Sequence, residues 1–177
     1  MAGLAPAELV AQAKAGDRTA FDALVGPLID PAFRLAFGML HDREAAEDAV
    51  QEAAFRAWRR LGNLRPGTEM RPWFLAIVAN QCRSTLRGRW RKVLKLSGHG
   101  TPSQSVEDPV VRGTDLRRAI RQLKHDQRLA LVLHFYLDLS LEEVAAITRA
   151  PVGTVKSRIH RGVVRLRPQL EAEEVFG

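Results

Sequence analysis

Residues 140 to 167 read SLEEVAAITRAPVGTVKSRIHRGVVRLR, a stretch that predicts two short helices joined by a tight break. Ser140, followed three residues later by Glu143, is a capping box in which each side chain satisfies a backbone N–H at a helix start. Leu141, Val144, Ala145 and Thr148 then recur at helical spacing. Arg149-Ala150-Pro151 ends the run, because the residue before a proline is pushed away from the helical region. Proline is tolerated in a first turn, so a second helix resumes from about Pro151 to Thr154. On that helix Val155, Ile159, Val163 and Leu166 form an inward stripe. Ser157, Arg161 and Val164 point the opposite way, with His160 beside them and Lys156 and Arg158 on the flanks.

An apolar back and a cationic, hydrogen-bonding front suit a helix lying in a DNA major groove. Cations hold phosphates, while Arg, Ser and His reach base edges. An ordinary helix pair with a solvated basic face has the same pattern, so this segment favours a helix-turn-helix without deciding it. Nor does it separate a repressor from an activator or a recombinase.

The chain has 177 residues, enough for one ordinary domain or two small helical ones, and a net charge of +7 that favours acidic partners such as nucleic acid. The distribution of that charge is more informative. From Arg71 to Lys95 there are seven cations and no acid, and from Thr154 to Arg167 five cations and no acid. Between Asp42 and Glu52 five acids face only Arg43. Two basic patches and one acidic helix imply separate surfaces for separate partners. Cys82 is the single cysteine, which excludes an intramolecular disulfide and a cysteine-rich zinc site and fits a reducing, cytoplasmic setting. No basic region followed by an apolar run marks a signal peptide, and no window approaches about 20 consecutive apolar residues, so a soluble chain without membrane insertion is expected.

Helical spacing runs almost throughout, and the expected class is all-α. Helices are expected at about Pro6–Ala15, from Arg18 onward through Val25, at Pro31–Leu40, Arg43–Leu61 and Arg71–Trp90, with Pro27 and Pro31 interrupting. On the Arg43 helix, Ala46, Val50, Ala53, Ala54, Ala57 and Trp58 form the inward side. Gly62 to Met70 is turn chemistry. Ser97 to Ser105 is small and polar, and residues 93–113 are expected to be a flexible linker. The result is two small helical domains, 1–92 and 114–177. In the second, Leu116, Ile120, Leu123, Leu129, Leu131, Val132, Leu133 and Phe135 are expected in the core.

Glu44, Asp48 and Glu52 fall at i, i+4 and i+8, with Glu47 and Gln51 beside them, and so line one helix face. A lone charge run is usually a solvated face. An acidic ridge is nonetheless of little use close to a duplex, whereas a basic protein partner would explain it. Arg83, Arg87, Arg89, Trp90, Arg91, Lys92 and Lys95 follow Asn80-Gln81, with Trp73 and Phe74 earlier on the same helix. Cations interleaved with aromatics and amides suit opened DNA, whose phosphates need charge and whose extruded bases need stacking. Trp73, with Ile77 at i+4, also fits a core position, and Trp90 fits packing beneath the linker. No phosphate loop, GxGxxG or HExxH occurs, and His41, His99, His125, His134 and His160 share no ligand spacing. No catalytic residue, metal site or cofactor is therefore expected, and the chain reads as a non-enzyme. A stand-alone helix-turn-helix regulator is one rival reading, and a nuclease or recombinase another; the acidic helix speaks against the first and the lack of converging acids against the second.

Taken together, Ala46-Glu47-Asp48-Ala49-Val50-Gln51-Glu52 with Phe55-Arg56-Ala57-Trp58, Arg71-Pro72-Trp73-Phe74-Leu75-Ala76-Ile77-Val78-Ala79-Asn80, and Pro151-Val152-Gly153-Thr154-Val155-Lys156-Ser157-Arg158 resemble motifs of the bacterial RNA polymerase sigma factors. The resemblance is to the short, two-domain extracytoplasmic-function (ECF) group of the sigma-70 family. Leu123 through Arg128 is similar to the opening of the family's fourth region. The resemblance implies that Glu47, Asp48, Gln51 and Glu52 dock on the clamp helices of the largest subunit of core RNA polymerase. It implies that Asn80, Arg83, Arg87, Arg89 and Arg91, with the Gly62–Met70 loop, hold the melted minus-ten promoter strand, one base being flipped into a pocket. It implies that Thr154, Lys156, Ser157, Arg158, His160 and Arg161 read the minus-thirty-five element and that the C-terminal domain meets the polymerase flap. An anti-sigma factor is implied as a further partner. Ala49 and Ala54 depart from the family pattern and are expected to thin the apolar side of the docking helix. Phe74 for leucine is a conservative change. Gly162 replaces the usual alanine and is expected to let the recognition helix bend or fray.

Overall fold

The computed structural model describes residues 6–96 and 115–176. Among these are nine α-helices and no strand: α1 (Pro6–Lys14), α2 (Arg18–Val25), α3 (Ile29–Leu40), α4 (Arg43–Arg60), α5 (Met70–Leu96), α6 (Asp115–Gln122), α7 (His125–Leu131), α8 (Leu141–Thr148) and α9 (Val152–Phe176). The expected linker lies mostly outside the described residues, although α5 continues to Leu96 and so enters its first few positions.

The helix starts follow from side-chain caps. Asp17 accepts from the backbone N–H groups of Thr19 and Ala20 at 2.8 and 3.2 Å, starting α2. Asp42 accepts from Ala45 at 3.0 Å, starting α4. Each cap satisfies donors that the first turn leaves without partners, and its loss typically costs about 1 kcal/mol. These bonds hold both carboxyls below the usual carboxylate range. The two prolines interrupt the second segment less than expected. Pro27 sits in a short 3₁₀ turn, Gly26–Leu28, and Pro31 falls in the first turn of α3, where its missing N–H had no helical partner to lose. The helix accordingly begins at Ile29. The whole stretch Arg18–Leu40 is long and apolar enough to cross a membrane by length and composition. Here Leu24, Val25, Leu35, Ala36 and Met39 of that stretch are buried in the core, while Ile29 and Phe37 are exposed.

In the first domain α4 lies against α3 and α5 along a seam of Ala46, Ala49, Val50, Ala53 and Ala57. Ala49 takes the inward place expected for Ala54, which is only partly buried, and Trp58 is half-buried with its ring edge-on to Phe21 at 5.1 Å. The small seam residues bring α4 close to α5, whose Phe74, Leu75, Val78 and Cys82 are fully buried. Burying a side chain the size of Phe74 contributes about 1.5–3 kcal/mol. Lys14 donates to the Leu64 carbonyl at 2.6 Å, tying α1 to the turn between α4 and α5.

The second domain packs α6, α7, α8 and α9 together. Leu123, Leu129, Val132 and Leu133 are buried as expected, and Leu116, Ile120 and Leu131 partly so. Phe135 is not in the core: it is 64 % exposed. Residues Val132–Tyr136 form a π-helical turn, and the wider turn shifts the register, so Leu137 and Leu139 enter the core in its place. The domains also touch each other, α5 against α8 and α3 against α7.

Candidate nucleic-acid interface

The helix-turn-helix is formed by α8 and α9. Ser140 and Glu143 make both bonds of the capping box, at 2.8 and 3.2 Å. Arg149 closes α8 in the left-handed conformation with φ of 52°. Val155 and Leu166 of α9 are buried, while Ile159 and Val163 are half-buried. Thr154, Lys156, His160 and Arg161 are exposed on the other side, together with Val164. Arg161 donates to the Ser157 hydroxyl at 2.7 Å, which holds its guanidinium along the face. Arg158 is different: it is half-buried and donates to Asp126 of α7 at 3.0 Å. α9 shows no break at Gly162. The glycine is buried, and a Cβ there would come within 2.7 Å of Leu131 Cδ1, so it permits close packing on α7 rather than bending the helix.

On α5 the cationic residues divide by face. A cleft of about 230 Å³ is lined by Arg60, Asn63, Trp73, Ala76, Ile77, Asn80 and Arg149. Asn80 is exposed there, and Trp73 packs on the core while also lining the cleft. Arg83 and Arg87 follow Asn80 by three and seven residues and share its side of the helix. Arg91, exposed, lies eleven residues on, again on that side. Arg89 lies nine residues on, half a turn away, and donates to Asp42 at 2.6 Å. It faces the start of α4, away from the Asn80 cleft. Arg83 reaches Asp126 at 3.4 Å, so one carboxylate bridges Arg83 of the first domain and Arg158 of the second. Trp90 is 43 % exposed.

The acidic ridge stands on the outer side of α4. Asp48 and Gln51 are exposed, Glu47 pairs with Arg43 at 2.9 Å, and Glu52 pairs with Arg56 at 2.8 Å. A groove of about 740 Å³ between α4 and α5 is lined by Asp48, Gln51, Glu52, Phe55, Gln81 and Arg89, among others. A second groove of about 470 Å³, on the α3 side, is lined by Ile29, Phe33, Val50, Ala54, Glu47 and Gln51 among others. Phe55, 56 % exposed with the Arg59 guanidinium 5.8 Å from its ring, belongs to this surface. It lies within the sequence motif, where a phenylalanine on a helix reads first as core. Arg149 and Asp126 were also missed, since their contacts join residues far apart in sequence. Among the described residues no group of three or more His, Cys, Asp or Glu could hold a metal ion.

The sequence matches the family model for sigma-70 region 2 over residues 24–92 and that for sigma-70 region 4 over residues 114–166. It is 33 % identical to the ECF RNA polymerase sigma factor SigW of Bacillus subtilis, covering 91 % of this chain and 94 % of that one. The chain belongs to the ECF group of sigma-70 RNA polymerase sigma factors. It is also 31 % identical to the RNA polymerase sigma-H factor of Pseudomonas aeruginosa over 170 residues, 87 % of this chain and 88 % of that one. Among solved structures, the sigma factor RpoE in complex with the anti-sigma factor NepR from Bartonella quintana superposes with a TM-score of 0.69 and 27 % identity, over 85 % of this chain and 96 % of that one. CnrH in complex with the cytosolic domain of CnrY gives 0.72 and 25 %, over 94 % and 97 %. As a sigma factor the chain binds core RNA polymerase and directs promoter-specific initiation.

Proposed function

We propose that this sigma factor divides its task between residues 1–92 and 114–177, with 93–113 as the tether. α9 enters the major groove of the minus-thirty-five element, presenting Thr154, Lys156, Ser157, His160 and Arg161, with Arg158 joining once released from Asp126. The cleft of Asn80, Trp73 and Asn63 takes an unpaired base of the minus-ten strand, and Arg83, Arg87 and Arg91 hold its backbone. Glu47, Asp48, Gln51 and Glu52, with Phe55, dock on the clamp helices of the largest polymerase subunit, and the second domain meets the flap. The observation that carries this reading is the Asn80 cleft: an aromatic wall and two amides within a cationic helix face are what an extruded base needs.

The chain performs no covalent chemistry in this reading. Binding energy opens the strand, and the protein works in the cytoplasm. An anti-sigma factor is a partner of this chain as well, a reading supported by the two similar structures, each a sigma factor held by another protein. The test is purified protein with sigma-free core polymerase on a library of randomised promoters. Initiation from a selected subset that is lost with Asn80→Ala and with Arg161→Ala is expected. Initiation unaffected by either substitution would remove these residues from the interface.

A further inference from the structure

Residues far apart in sequence meet at the joint between the domains, where Gly38 of α3 faces Val132, Arg128 donates to the Met39 carbonyl at 2.9 Å, and Asp126 bridges Arg83 and Arg158. Another such meeting lies wholly inside the first domain. Lys14, in the last turn of α1, donates to the Leu64 carbonyl, fifty residues on, at 2.6 Å. A lysine in the last turn of a helix ordinarily serves the carbonyls of that same turn. Here a Schellman motif closes the turn instead. Gly16, with φ of 101°, donates to the Ala13 carbonyl and Asp17 to that of Gln12, both at 3.1 Å. Lys14 therefore reaches outward from a helix end whose backbone is already fixed.

What Lys14 grips is the root of the loop beside the Asn80 cleft. Leu61 and Leu64 bracket the 3₁₀ turn and are buried, while Gly62 and Asn63 are exposed and Asn63 lines the cleft. Leu64 leaves the turn in an extended conformation, with φ of −67° and ψ of 123°. Next come Arg65-Pro66-Gly67-Thr68, with Gly67 at φ of 75° and Thr68 donating to the Arg65 carbonyl at 3.2 Å. Proline followed by a positive-φ glycine across such a bond is the pattern of a type II turn, which is itself stiff. Two apolar anchors hold this segment in place but do not fix the rotation of the peptide at Leu64. Stiff beyond that point, the loop has its pivot there.

We propose that Lys14 is a positioning residue for the minus-ten element: by holding the Leu64 carbonyl it stops that pivot and fixes Asn63 on the wall of the cleft, opposite Asn80 and Trp73. The inference rests on the assignment of the cleft to an unpaired base. The parts of the cleft act differently on such a base. Trp73 stacks on any base, since each has a π face, and Arg60 meets phosphate whatever the sequence. An amide discriminates, because its donor and acceptor must match the edge of the base. Loosening Asn63 therefore costs selectivity and spares affinity. α1 is itself seated on α2, whose Phe21 meets Trp58 of α4 one turn before Leu61, so brace and cleft belong to one packed unit.

The test uses the full-length protein with core polymerase on a promoter library randomised across the minus-ten element, with the minus-thirty-five element held constant. Sequencing of the transcribed templates reads base preference. Lys14→Met keeps the aliphatic stem and removes the donor. It is expected to lower the preference at one minus-ten position about fivefold or more, with core binding and minus-thirty-five duplex binding unchanged. Lys14→Arg, which supplies a donor of similar reach, is expected to recover the preference. Asn63→Ala is expected to flatten the same position, and adding Lys14→Met to it to cost nothing further. An unchanged preference in Lys14→Met would overturn the brace. So would a fall in initiation shared equally by all promoters, which is what a merely structural lysine would give. Failure of the cleft assignment shows separately, as a wild-type preference that survives both Asn63→Ala and Asn80→Ala.

Discussion

One carboxylate, Asp126, holds Arg158 of the recognition helix at 3.0 Å and, through its other oxygen, Arg83 of α5 at 3.4 Å. Two cations assigned to different stretches of promoter thus share a single counter-charge. Asp126→Asn is expected to free both. Core-free binding to duplex DNA should tighten, and the slope of log affinity against log salt should steepen by about one for each arginine that gains a phosphate. Fluorescence anisotropy across a salt series measures this, and an unchanged slope would leave Arg158 without a DNA contact.

Arg161 stands in the opposite situation. Its partner is the neutral hydroxyl of Ser157, which orients it without neutralising it. Arg161→Ala is expected to weaken minus-thirty-five binding by about 1–3 kcal/mol if the contact is bidentate to a guanine. Ser157→Ala is expected to cost less, since the arginine remains and only its orientation is released. A larger loss for Ser157→Ala than for Arg161→Ala would reverse these roles.

Gly162 gives a stability prediction. Alanine would gain about 1 kcal/mol in helix propensity, but its Cβ would lie 2.7 Å from Leu131 Cδ1 and 3.2 Å from Leu131 Cγ. Overpacking of this kind costs about 1–3 kcal/mol. Gly162→Ala is expected to lower the thermal midpoint, and Gly162→Ala with Leu131→Ala to show positive coupling in a double-mutant cycle. A rise in midpoint for the single variant would mean that Leu131 moves aside freely.

The docking ridge can be separated from DNA binding. Asp48 and Gln51 are exposed, so Asp48→Arg with Gln51→Ala leaves the core of the first domain intact. Association with core polymerase is expected to fall at least tenfold, with duplex binding by the second domain unchanged. Surface plasmon resonance on immobilised core reads the first quantity and anisotropy the second.

Acid should loosen the joint. His41 is pushed down to about 4, first by burial and then by Arg128, Arg121 and Arg117, which all belong to α6 and α7. His125 is also lowered, by burial and by Arg83 and Arg128, against the opposing pull of Asp126. In the open chain these imidazoles return toward an ordinary value of about 6.5. Above that pH both forms are neutral there and no penalty applies. As pH falls below it the open form takes up protons that the closed form resists, so closure is progressively lost. Small-angle scattering is expected to show the radius of gyration increasing between pH 7.5 and 5, and a constant value would refute the linkage.

The sequence carried the parts of this molecule that are local. The Ser140–Glu143 cap, the acidic ridge and the Val155–Leu166 stripe were readable because each depends on residues within one or two turns. Phe135 was misplaced because a π-turn leaves little trace in spacing, and Pro31 was over-weighted because its cost depends on how far into the helix it falls. Arg89 looked equivalent to Arg87 until the helix turned them to different sides. The joint was illegible for a deeper reason. Gly38, Arg128 and Asp126 acquire meaning only from partners tens of residues away, and a glycine inside a helix or an arginine among arginines carries no local mark of such a partner.

The alanine seam of α4 has a consequence for speed. Ala46, Ala49, Ala53 and Ala57 have no rotamers to lose, so the helix that bears Asp48 and Gln51 is seated along this seam at little cost in side-chain entropy. Its charged residues are therefore displayed on a stiff rod before any partner arrives, and association with polymerase should be governed by collision and electrostatic steering rather than by a slow rearrangement of the ridge.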